Sequence, residues 1–220
     1  MKFLAALVHA AAAAIPIHWD FTNPAQGDEG VYIADGKWAV AFRTPASGTT
    51  DNTTGLTRNS NPSFFHFWFT ISTDASVPAT PSMSLQLELC PSAHDLPDCT
   101  NSIVSLRIPI ASNDDVNTFN GGNLLRTSGG NLLRSSGGVY SWFPEPEIVG
   151  APNTTYWFVL GASSESWVKG PIWLFGQRHF STATNVNVAT FNGEDNSWSL
   201  IPFNENNRLL SLVVVATYTH

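Results

Sequence analysis

The chain has 220 residues, enough for one large β domain with a substantial core. Charged residues make up only 12%, about half the typical ~25%, and Asn, Ser, Thr and Gly carry the polar surface instead, as in extracellular β-proteins. A net charge of −7, with lysine only at Lys2, Lys37 and Lys169, leaves no basic patch for phosphates; nucleic acids and anionic membrane surfaces are therefore poor partners.

In chain order, Met1-Lys2 followed by the apolar, Ala-rich run to Ala14 reads as a signal peptide over residues 1–14, with small residues at the cleavage site. A single domain over 15–220 is expected to follow, secreted and without a transmembrane segment, since no later apolar run approaches the ~20 residues a span needs. His18 becomes a first residue, and so a copper ligand with His66 or His179, only if cleavage follows Ile17, a poor residue for that position. Trp38, Val40 and Phe42 alternate with small residues and predict a half-buried strand. Asn52-Thr53-Thr54 is a glycosylation sequon. Phe64–Ile71 is apolar on both faces and reads as a central strand covered on both sides. Met83, Leu85, Leu87 and Leu89 predict the next strand, and Val104, Leu106, Ile108 and Ile110 the one after, with Pro109 placing it at an edge.

Between these two strands lie the only cysteines, Cys90 and Cys99, nine positions apart with two prolines between them. In an oxidising compartment they are expected to close a small loop; a metal pair with His94 is the competing reading, short of the usual four ligands. Asn113, Asp114, Asp115 and Asn117, and further on Glu194 and Asp195, form oxygen-rich loops suited to Ca²⁺, the one cofactor that the composition suggests. The octapeptide Asn123–Gly130 is repeated at once as Asn131–Gly138. Together with Gly121-Gly122 it makes a Gly-rich insertion over 121–138, read first as a duplication lengthening a hairpin loop and second as two short strands or an adhesive loop with paired Leu and Arg.

Val139–Gly161 runs from an aromatic extended segment through a Pro/Asn/Thr turn into Tyr156–Leu160, which reads as a β-hairpin. Glu145 and Glu147 fall i and i+2 in this stretch, a spacing open to glycoside hydrolysis, but the prolines beside them favour a solvated turn. Asn153-Thr154-Thr155 is the second sequon. Of the eight tryptophans, Trp38, Trp68, Trp157 and Trp198 are expected in the core, whereas Trp167 and Trp173, among polar and Gly-Pro residues, are the candidates for stacking on a sugar ring. Val186–Thr190, Trp198–Pro202 and Leu209–Tyr218 complete about ten strands with no convincing helical period. The fold class is therefore all-β, an antiparallel sandwich or jelly roll.

Trp38–Thr44, Ser84–Leu89, Tyr140–Phe143 with Ala151–Leu160, and Phe191–Trp198 with Leu209–Tyr218 together resemble the choice-of-anchor family of exported β-sandwich domains, over residues 30–218. The resemblance implies a sandwich closed by a C-terminal hairpin, and it implies no catalytic residue. Members are often tethered by C-terminal sorting signals; this sequence ends at His220 directly after its last strand, so free secretion, or retention through other contacts, is expected. No Gly-x-Ser-x-Gly elbow and no phosphate-binding glycine pattern occurs. The expected role is a non-enzymatic structural or adhesive module facing matrix or cell-wall components. A lectin-like glycan binder is the alternative, and a glycan-active enzyme comes third.

Overall fold

The computed structural model describes residues 17–20, 29–33, 36–50, 57–58, 61–72, 84–109, 123–127, 130–134, 139–163, 171–179, 186–202 and 208–218. Within them are nineteen strand segments, a single 3-10 turn at Cys99–Asn101, and no helix long and apolar enough to cross a membrane. The all-β expectation holds, and the count exceeds ten because six of the segments are only two or three residues long.

The larger sheet contains β1 (Ile17–Asp20), β2 (Gly30–Tyr32), β6 (Pro62–Ser72), β10 (Asn123–Thr127), β11 (Gly130–Arg134), β12 (Val139–Pro144), β13 (Ile148–Val149), β15 (Ile172–His179), β18 (Arg208–Leu210) and β19 (Leu212–Tyr218). Its main path runs β1-β19-β6-β12-β11-β10, with β15 joining the far end of β6 and pairing in turn with β2 and β18. The second sheet contains β3 (Lys37–Arg43), β7 (Ser84–Ala93), β8 (Leu96–Pro97), β9 (Val104–Pro109), β14 (Thr155–Ser163), β16 (Val188–Asn192) and β17 (Ser197–Leu200). Its order is β17-β16-β3-β14-β7, with β8 and β9 both on β7; β4 (Thr49–Thr50) and β5 (Thr57–Arg58) form a separate ribbon. Every pairing is antiparallel.

Period-two patterning explains the core. Leu85, Leu87 and Leu89 of β7 and Val40 and Phe42 of β3 point inward with Phe158 and Leu160 of β14. They meet Phe64, Phe67, Phe69 and Ile71 of β6, Trp142 of β12 and Leu212 and Val214 of β19. The Phe67 ring stacks on Trp142 at 4.8 Å within its own sheet and on Phe158 at 5.5 Å across the layers. Among the described residues β9 pairs only with β7, and it ends at Pro109, the edge position that a residue without an N–H requires.

Three topological expectations are corrected. The aromatic segment Val139–Pro144 and the Thr155–Ser163 strand are not a hairpin: β12 pairs with β6 and β11 in one layer, and β14 with β3 and β7 in the other. The Pro/Asn/Thr stretch between them carries the chain from layer to layer. The closing pair separates in the same way, since β16 and β17 form a hairpin of the second sheet while β19 sits centrally in the first. The octapeptide repeat is not a lengthened loop. Its two copies form β10 and β11, paired Asn123 to Arg134, Leu124 to Leu133 and Leu125 to Leu132, which widens the larger sheet beyond β12.

Candidate functional site

The loop between Cys90 and Cys99 is a β-hairpin folded over the outer face of the second sheet. His94 (φ 52°) and Asp95 (φ 61°) turn β7 into β8, both in the left-handed region that a two-residue hairpin loop of this type needs. A disulfide joins Cys90 to Cys99 with Cα atoms 4.9 Å apart. It packs with Ala39, Ala41, Trp157, Val159 and Ala189 in a small cluster of its own, with Trp198 at the margin. Trp157 is buried there and its indole N–H donates to Ser92 Oγ at 3.2 Å. The metal reading of this loop fails. Glu88 lies near both sulfurs, but these are bonded to each other, and the carboxylate pairs with Lys37 at 2.7 Å.

The larger sheet exposes a different surface. On β6 a bulge opens between the pairs His66–Val215 and Phe64–Ala216, so Phe65 and His66 face a single residue step of β19. The extra residue shifts the alternation: Phe64 and Phe67, three apart, both turn into the core, and His66 and Trp68 turn outward. Trp68, expected in the core, is 44% exposed, flanked across the strands by Ser141 and Val213. Phe143, at the end of β12, is 37% exposed. Between them the imidazole of His66 lies flat against Phe143 (centroids 4.1 Å, 15°) and meets Trp68 edge to face (4.6 Å, 86°). His66 is only 8% exposed, and its Nε2 has no hydrogen-bond partner among the described residues. Further along β6 the Ser63 hydroxyl donates to Glu147 at 2.5 Å, and Val149, opposite Ser63, is 66% exposed.

Burial lowers the His66 pKa from 6.5 to about 4. The unfolded chain takes up this proton below pH 6.5, whereas the folded chain stays neutral until about pH 4. Acidification across that window therefore costs stability, at up to about 1.4 kcal/mol per pH unit. Urea unfolding of His66→Phe is expected to show a shallower loss of stability from pH 6.5 to 4 than the parent protein; equal slopes would remove His66 from this role.

Trp173, a candidate for sugar stacking, is a core residue. It is fully buried, lies 5.9 Å from Phe158, and spends its indole N–H on the Ser211 carbonyl at 2.8 Å. Pro171, just before β15, is buried as well. Trp167, Asn52, Asn113, Asp114, Asp115, Asn117 and the signal segment 1–14 lie outside the described residues. Glu194 and Asp195 sit in the exposed β16–β17 turn. There the Asn192 side chain accepts from the Glu194 N–H and donates to Asp195 Oδ2, both at 2.9 Å. Asn153 is exposed at a tight turn (φ 53°) pinned by the buried Thr44 hydroxyl, which donates to Ala151 O at 2.7 Å and accepts from Thr154 N. Arg43 donates to Asn153 Oδ1 at 2.9 Å. Glu145 is exposed and Glu147 is held by Ser63. In backbone register His18 and His66 flank Val215 from the two neighbouring strands, while His179 lies on β15 opposite Arg208.

No family model matches the chain, and no curated protein matches it.

Proposed function

We propose that the chain is an exported β-sandwich module of the kind that the choice-of-anchor resemblance implies, acting outside the cell as a structural or adhesive partner and not as a catalyst. The observation that carries this reading is the disulfide-closed hairpin on the second sheet, because such a bond persists in oxidising compartments and is rare where thiols are kept reduced. The exposed, well-anchored turn at Asn153 suits the same route, since a glycan there projects away from the sheets. Expression with residues 1–14 in a eukaryotic secretory host tests it. The protein is expected in the medium, beginning near residue 15, with no titratable thiol and with a glycan-dependent mobility shift reduced by Asn153→Gln. Retention inside the cell with two free thiols would contradict export.

A second reading, a lectin-like glycan binder, is favoured by a specific observation. Trp68 and Phe143, two large aromatic side chains, are exposed on one sheet face with the His66 imidazole between them. Aromatic rings in such a position offer flat, electron-rich faces to C–H-rich or cationic partners.

A further inference from the structure

We propose that the outer face of β6 is an oligosaccharide-binding platform for neutral glycans, with Trp68 and Phe143 as the stacking surfaces and His66, packed against both rings, as a hydrogen-bonding partner for a sugar hydroxyl. The proposal rests on the lectin-like reading and gives it a site and a ligand class.

Four observations converge on this face. First, Trp68 is exposed and its cross-strand partners are small, Ser141 on one side and Val213 on the other. Second, His66 carries a buried ring nitrogen without a partner among the described residues, in a site otherwise lined by aromatic rings and Val215. A buried polar group left unpaired in this way carries a desolvation cost that a ligand hydroxyl relieves. A neutral imidazole nitrogen suits a hydroxyl, which both donates and accepts. Third, the ring stacked on that imidazole, Phe143, is itself more than a third exposed, stands just before Pro144 at the end of β12 and lies outside the core cluster, so it offers a second aromatic face beside His66. Fourth, the bulge at Phe65–His66 is what aims His66 outward at all, and bulges recur where a strand must redirect a side chain.

The platform has length as well as chemistry. From Trp68 to Ser63 along β6 is roughly 15 Å at about 3.3 Å per residue. The far end carries the Glu147 carboxylate, already accepting from Ser63, a natural acceptor for further hydroxyls. An extended row of this kind fits a chain of sugars better than a single ring. With Glu145 and Glu147 beside it and an overall charge of −7, the face disfavours acidic polysaccharides.

The test is affinity electrophoresis of the oxidised protein through a panel of soluble polysaccharides: neutral β-glucan, xyloglucan and mannan, acidic polygalacturonate, and cationic chitosan. The parent is expected to be retarded by at least one neutral polymer. Trp68→Ala and Phe143→Ala are each expected to weaken that binding about tenfold or more. Phe143→Tyr, which keeps the ring face, is expected to retain it. His66→Phe is expected to weaken binding while the protein remains folded, because an aromatic ring still fills the site. Leu200→Ser, on the other sheet, is the control expected to change nothing. Retardation of the parent that survives Trp68→Ala and Phe143→Ala would overturn this site while leaving a glycan-binding role intact. Retardation by no polymer would overturn both. Preferential binding to polygalacturonate or chitosan would overturn the ligand class.

Discussion

Phe67→Ala is expected to lower the unfolding free energy by about 3–5 kcal/mol, the range for emptying a fully buried aromatic site. Phe67 is fully buried and its ring meets Phe64 and Trp142 within the larger sheet and Phe42 and Phe158 across the layers, at centroid distances of 4.8–6.4 Å. Removing it leaves a void that neighbours on two rigid sheets cannot fill, and four ring contacts go with it. Trp68→Ala, one residue along, removes a larger side chain but one that is almost half exposed, and is expected to cost under about 1 kcal/mol. Urea unfolding at constant m-value reads the contrast directly. Equal losses at the two positions would mean that the layers do not meet at Phe67.

Replacing both Cys90 and Cys99 by alanine is expected to cost about 3 kcal/mol, mainly through the entropy that the unfolded chain regains when the short ring opens. The structure adds a local consequence. The β7–β8 hairpin is held on the second sheet by the disulfide, by Trp157 and by the hydrogen bond from its indole to Ser92. With the bond gone, the hairpin loosens over an otherwise Ala-lined surface and water reaches Trp157. A red shift in tryptophan emission is therefore expected at denaturant concentrations well below global unfolding. It should be absent in the parent and reproduced in it by a reducing agent. An unchanged spectrum in the double variant would show that the hairpin stays in place without its crosslink.

These features were legible to different degrees in the amino-acid order, and the differences have physical causes. Strands with one buried face announced themselves: Leu85, Leu87 and Leu89 alternate with polar residues because only one side of β7 meets the core. The disulfide was legible because nine residues and two prolines confine its ends. Layer assignment was not. β12 and β14 are both aromatic-rich and joined by turn residues, and local pattern cannot separate a hairpin from a crossover between sheets, since both begin with the same turn chemistry. The repeat was read as a loop because its Gly-Gly pairs read as breaks, yet the Asn-Leu-Leu-Arg units between them pair with each other in register.

The outer face of β6 was the hardest feature to see. Phe64–Ile71 is apolar at nearly every position, which reads as coverage on both sides, and the bulge that redirects His66 and Trp68 depends on the register of β19, more than a hundred residues away. Trp173 departs from its expected place for the opposite reason. Gly170-Pro171 suggests a loop, but the chain enters β15 directly after the proline and Ser211 supplies a carbonyl for the buried indole.

Indole N–H resonances in a ¹H–¹⁵N spectrum, followed while a neutral oligosaccharide is added, test the central claim most directly, because each tryptophan reports its own surroundings. The signal that disappears in Trp68→Phe is expected to shift together with the ring signals of His66. The signals of Trp157 and Trp173, fully buried on hydrogen bonds to Ser92 and Ser211, are expected to stay where they are. A Trp68 signal unmoved at saturating sugar, or shifts confined to the second sheet, would contradict the account.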